Sequence, residues 1–173
     1  MNNSADSCID MPDDGSLRWV GGGTTNCNTH GYAGQGAIET GSGTSIYLEN
    51  VDFTDSGVNG ITGSADSLTM SNVTVTTPGY SAQQTGTAVA QLGTSTSGTS
   101  IYAFNVDMEG YEAALTTHAV DEIHLEDLSS SGDSNGYYIA PAGASSPAVG
   151  ATGWTMDGIA ADGGLTIART QPA

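Results

Sequence analysis

A chain of 173 residues suits one domain with a modest core, and 37% hydrophobic content with abundant Gly, Ser and Thr favours short strands and turns over helices. Nineteen Asp and Glu residues face only two cations, Arg18 and Arg169, with no Lys, for a net charge of −17. That balance excludes nucleic acid and anionic membranes as partners, because nothing is present to replace the counterions around phosphate.

The acidity itself has two readings. The carboxylates form a Ca²⁺-binding array, or the whole surface is adapted to concentrated salt, where the Debye length falls to about 3 Å and like charges hardly repel. The acids are scattered rather than clustered, which favours salt adaptation and no required cofactor, with Ca²⁺ as the alternative. The first twenty residues, MNNSADSCIDMPDDGSLRWV, hold neither an apolar run nor a basic start, so no signal peptide is visible and no membrane insertion is expected. Residues 1–35 read as an N-terminal leader or cap that includes a partial first coil at Leu17-Arg18-Trp19-Val20. Asp13-Asp14, flanked by Pro and Gly, read as turn and cap residues, the alternative being a hydrolytic carboxylate pair. Cys8 and Cys27 lie 19 residues apart. A disulfide there would close a loop worth roughly 3 kcal/mol, and two unpaired thiols are the competing reading; the spacing fits no zinc motif.

From residue 36 onward one phrase recurs. It reads Ile46-x-Leu48-x-Asn50-Val51-x-Phe53, then Leu68-x-Met70-x-Asn72-Val73-x-Val75, then Ile101-x-Ala103-x-Asn105-Val106-x-Met108. A fourth copy is Ile123-x-Leu125-x-Asp127-Leu128-x-Ser130, and a decayed fifth is Trp154-x-Met156-x-Gly158-Ile159-x-Ala161. Apolar residues at every second position are strand periodicity with one face inward. The residue between the two apolar pairs is Asn, Asn, Asn, Asp, then Gly, types that tolerate a left-handed bend. Each phrase therefore predicts two short strands joined by a corner of one or two residues, both facing the same interior. A weaker third segment falls between copies, at Gly36-Ala37-Ile38, Gly60-Ile61, Thr87-Ala88-Val89, Ala113-Ala114-Leu115, Tyr137-Tyr138-Ile139 and Leu165-x-Ile167.

Three strands per period of 22 to 33 residues describe one coil of a solenoid. The pattern resembles the right-handed parallel β-helix of the pectin-lyase-like superfamily, which stacks an Asn ladder at a tight corner between two of its sheets. The resemblance implies that Asn50, Asn72 and Asn105, with Asp127 as a variant, form that ladder. It implies an all-β fold of five to six coils over residues 36–167, with 168–173 as a C-terminal tail. The acidic, Lys-free composition resembles proteins of halophilic archaea and their viruses. Copies start 22, 33, 22 and 31 residues apart, and the extra residues fall at Thr76–Gly86, Ala90–Gly98 and Pro141–Thr152, which read as surface loops. Five or six coils make a rod roughly 25–30 Å long, with open ends that call for a partner.

Outward positions of the phrase align into lateral columns. Tyr47, Thr69, Tyr102, His124 and Thr155 form one, and Glu49, Ser71, Phe104, Glu126 and Asp157 the next. Tyr47, Glu49, Tyr102, His124 and Glu126 are the candidate glycan-binding stripe, set against an ordinary solvated sheet face. His118 and His124, with Asp121 and Glu122 between them, would meet across a turn around a transition metal, or stand as surface histidines, so a metal stays unassigned. His30-Gly31 resembles a fragment of a hydrolase motif without its companions, and the cationic machinery of the superfamily's lyases is missing, so no catalytic residue is assigned.

The expected function is a non-enzymatic structural or adhesive subunit of a virion (spike, turret or tail-fibre type) or other extracellular assembly in high salt. A homo-oligomer, a trimer foremost, is expected, with a cell-surface glycan as a further partner. The alternative is a polysaccharide-binding or polysaccharide-cleaving protein.

Overall fold

The computed structural model describes residues 4–31, 35–54, 57–77, 86–92, 99–132, 136–141, 154–161 and 164–167. Most of the expected loops, Arg169 and the expected tail at 168–173 lie outside these. Among the described residues there are thirteen strands and no helix, and the strand pairings are parallel throughout.

The strands fall into three rows. The first holds β1 (Ile9–Met11), β4 (Ile38–Thr40), β6 (Ile61–Gly63), β8 (Thr87–Leu92), the start of β10 (Ala113–Ser131), β11 (Tyr137–Pro141) and β13 (Leu165–Ile167). In register along it stand Ile9, Ile38, Ile61, Val89, Leu115, Tyr137 and Leu165. The second row holds β2 (Ser16–Val20), the first halves of β5 (Ser45–Thr54), β7 (Ser67–Thr76) and β9 (Thr99–Glu109), the middle of β10 and the start of β12 (Trp154–Ala161). Its inward column runs Leu17, Ile46, Leu68, Ile101, Ile123, and the Trp154 backbone pairs with Ile123 on the next rung. The third row begins with β3 (Gly23–Thr25) and continues through the second halves of β5, β7, β9, β10 and β12, placing Val51, Val73, Val106, Leu128 and Ile159 in one column. In-register pairing thus already includes residues 9–25, within the expected leader.

The corner between second and third rows explains why both face one interior. Leu48 and Val51 are buried, while the two residues between them, Glu49 and Asn50, point outward. Simple alternation would have put Val51 outside. Asn50, Asn72, Asn105 and Asp127 all take positive φ, between 51° and 54°, which inserts the extra outward residue and turns the chain. A left-handed residue costs an ordinary side chain about 1–2 kcal/mol, so short polar types or Gly occupy the position. At the fifth copy Gly158 has φ 63°, and a Cβ there would crowd Asp127 Oδ1, so a side chain at this corner would require the Asp127 carboxylate to move. The sequence predicts two strands per phrase, yet β5, β7 and β9 run unbroken through the corner. Pairing resumes one residue past it, from Glu49↔Ser71 to Val51↔Val73, so the ladder loses only one step.

The interior is a continuous apolar column. Phe53, Leu48, Ile61, Leu68, Ile101, Leu115, Ile123 and Tyr137 are fully buried side chains within it. Each such burial is worth roughly 1.5–3 kcal/mol relative to exposure. Both ends of the column differ from its middle. Near the N-terminus, Cys8 and Cys27 form a disulfide, with Cα atoms 5.4 Å apart and Cys27 fully buried. Residues 4–6 run beside residues 26–29, with Ser4 N donating to Asn26 O and Asn28 N to Asp6 O. Trp19 stands edge-on to Phe53, centroids 5.8 Å apart, and its Nε1 donates to Gly21 O at 2.8 Å.

Candidate functional site

The outer face of the second row carries the densest polar chemistry. Side chains two apart on a strand share a face, and parallel register places equivalent positions on neighbouring rungs side by side. One outward column is therefore Arg18, Tyr47, Thr69, Tyr102, His124, Thr155, each paired in register with the next. The adjacent column is Val20, Glu49, Ser71, Phe104, Glu126, Asp157.

Two clusters form on this face. In the first, Tyr47 Oη donates to Glu49 Oε2 at 3.0 Å, the Arg18 guanidinium lies 5.0 Å from the Tyr47 ring centroid, and Arg18 approaches Glu49 at 3.8 Å. A carboxylate acceptor favours the neutral phenol, so the hydrogen bond to Glu49 raises the Tyr47 pKa. In the second, Tyr102 Oη donates to Glu122 Oε2 at 2.6 Å, and the Tyr102 and His124 rings stack at 5.2 Å with planes 11° apart. His124 Nε2 lies 3.1 Å from the other Glu122 oxygen, and His124 Nδ1 meets Thr155 Oγ1. The Tyr102 hydrogen bond, and after it that of His124, lowers the Glu122 pKa; the same bond raises that of Tyr102. The hydroxyl, imidazole and carboxylate of Thr155, His124 and Glu122 are thus linked in one relay on an open sheet face.

Of the candidate stripe, the structure brings Tyr47 together with Glu49, and Tyr102 with His124. Glu126 sits beside Phe104 in register and is exposed. Glu122 and Arg18, outside that stripe, are the partners that complete the clusters. At the ladder, Asn72 Nδ2 donates to Asn50 Oδ1 at 3.0 Å and Asn105 Nδ2 to Asn72 Oδ1 at 2.8 Å, on the exposed side of the corner. Asp127 continues the column with the same backbone conformation.

The remaining candidates lie elsewhere. Asp13 Oδ1 accepts from Ser42 N at 2.9 Å and from Ser42 Oγ at 3.2 Å, tying the turn before β2 to the next rung. Asp14 has φ 58° in the same turn. His30 N donates to Ala5 O beside the disulfide. The His118 backbone pairs with Leu92 in the first row, and the side chains of His118 and Asp121 lie outside the described residues. Among the described residues no three His, Cys, Asp or Glu side chains are placed to share a metal ion, and no helix is long and apolar enough to cross a membrane. No family model, curated protein or solved structure matches the chain.

Proposed function

We propose that the chain is a right-handed parallel β-helix that serves as a non-enzymatic structural or adhesive subunit of an extracellular, high-salt assembly, of the spike, turret or tail-fibre type in a virion. The observation that carries this reading is the stack of three in-register parallel rows around one apolar column. Parallel strands joined by crossovers are right-handed in about 98% of cases, which supports the handedness. A solenoid of this kind has open ends, and among the described residues the rung farthest from the N-terminus leaves Met156 and Ile159 half-buried and Leu165 44% exposed. A neighbouring subunit, foremost in a trimer, would cover them. The net charge of −17 supports a salt-rich setting, because it would drive self-repulsion in dilute buffer.

Light scattering on the chain in molar KCl tests the reading. The expected mass is a multiple of the single chain, three foremost; a folded monomer under those conditions would overturn the assembly. A second reading, a polysaccharide-binding or polysaccharide-cleaving protein, draws on the linked Tyr102, Glu122, His124 and Thr155 side chains. Release of reducing ends from a neutral polysaccharide, abolished by Glu122→Gln, would favour it over the structural role.

A further inference from the structure

The second-row face changes abruptly in height at one rung. Between the rung of Tyr47 and Glu49 and the rung of Tyr102 and Phe104, the outward residues of β7 are Ser67, Thr69 and Ser71. Three short hydroxyl side chains thus lie in a row; Thr69 and Ser71 are bordered on both sides by long ones, while Ser67 lies between Ser45 and Ser100 and leaves that end of the row open. The walls are two strand spacings apart, roughly 9–10 Å. On one wall the Arg18 guanidinium covers the Tyr47 ring from the far side, and on the other His124 stacks on Tyr102 from the far side. Both tyrosines are therefore braced from outside the furrow. Phe104, on the same wall as Tyr102, is 37% exposed, one of the few large apolar side chains left open to solvent among the described residues.

We infer that this transverse furrow is a binding site for a neutral pyranose oligosaccharide lying along the β7 strand direction. The inference rests on the adhesive part of the reading above and supplies its ligand class. The width decides between ring types. A flat aromatic ring touching both walls needs about 7 Å, twice a carbon contact distance of roughly 3.5 Å, whereas a puckered sugar chair with hydrogens on both faces fills more. The floor agrees, since each Ser or Thr hydroxyl both donates and accepts, and three in a row suit a polyhydroxylated ligand better than an apolar one. Charge agrees as well. Glu49 stands on one wall and Glu122 lies behind the other, while Arg18, the nearby cation among the described residues, lies behind Tyr47 and approaches Glu49, so an acidic sugar meets repulsion.

The test is saturation-transfer NMR on the full chain in molar KCl, irradiating aromatic protons. Methyl β-D-glucopyranoside, methyl β-D-galactopyranoside and their β-linked trisaccharides are the probes, with indole as competitor. Transfer to the sugar ring C–H protons is expected, weakened about tenfold or more by Thr69→Tyr, which fills the furrow, and by Phe104→Ser, which lowers one wall. Circular dichroism of each variant reports whether it is folded. Absence of transfer from every neutral probe at about 20 mM would overturn the inference. So would transfer undiminished in both folded variants, or displacement of the sugars by indole at equal concentration. The solution mass, measured on the same samples, reports on assembly separately, so a lost glycan site and a lost oligomer are distinguishable.

Discussion

At the N-terminal end of the stack, Trp19 stands edge-on to the buried Phe53 and a disulfide ties residue 8 to residue 27. At the C-terminal end, Met156 and Ile159 are half-buried and Leu165 is largely open. Both ends share one rung geometry, so the difference lies in what is laid over the last apolar layer. In a stack whose rungs touch only their neighbours, stability is approximately a sum of rung and interface contributions. A terminal rung lacks one interface and opens first unless something else holds it. The first rung is held covalently and by an aromatic cover; the last, among the described residues, has neither.

The largest effect expected from this contrast is in the layer beneath Trp19. Phe53→Ala should cost about 3–5 kcal/mol, because the cavity lies in a column that cannot collapse without shifting its rungs. Denaturant midpoints measure this, and a loss below about 1 kcal/mol would show that the N-terminal cover is not packed as described. Next, Cys8→Ser should cost about 3 kcal/mol, and hydrogen exchange should localise the loosening to residues 4–31, bringing that end closer to the other. Exchange that quickens equally over residues 154–167 would break the comparison.

Asn72→Ala is expected to cost about 1–3 kcal/mol, since it removes two ladder hydrogen bonds and places a Cβ-bearing residue without a polar side chain at φ 52°. Asn72→Gly should cost less, because it keeps the bend and loses only the bonds. Leu165→Ser should alter the stability of the isolated chain by under about 0.5 kcal/mol, in contrast with Phe53→Ala. A change in solution mass on that substitution would identify the open end as the contact between subunits.

The smallest expected effect is ionic. Tyr102 has its folded pKa raised by Glu122, so its contribution is present below the ordinary tyrosine value and is lost as pH rises through the folded one. Glu122 has its pKa lowered, so its contribution is present above the ordinary carboxylate value and is lost as pH falls through the folded one. An ultraviolet absorbance titration should show one tyrosine returning toward its ordinary value in Glu122→Gln. An unchanged titration would remove the hydrogen bond from the account.

Much of the architecture is legible in the repeated phrase, because period-two apolar positions and a left-handed residue type at a fixed offset are local properties. The columns of Asn50, Asn72 and Asn105, or of Val51, Val73 and Val106, follow from the fixed offset of these residues within each copy. What the phrase conceals is the continuity of the ladder through the corner. Asn reads as a break, yet the flanking residues pair on both sides of it. The same holds at β10, read as two separated segments and found as one strand from Ala113 to Ser131, with a register shift between Val120 and Glu122 that absorbs the irregularity. The site is less legible in the sequence. Glu122 stands where the other copies carry Ser45, Ser67 and Ser100, and its partners are a tyrosine one rung below and a histidine two residues on. Which way a tyrosine leans is set by the acceptor it finds, along its own strand for Tyr47 and across rungs for Tyr102. No alignment of a single strand's pattern contains that choice.

The left-handed corner also bears on how such a chain changes length. Ile46 and Leu68, like Ile101 and Ile123, are 22 residues apart and paired in register, and each leads into the same bend. A duplicated segment of that size inserts a whole storey, carrying its own amide for the corner and its own aliphatics for the shaft. Growth or shortening by complete storeys leaves every other floor plan intact, whereas a gain or loss of one residue inside a phrase would turn an entire wall inside out.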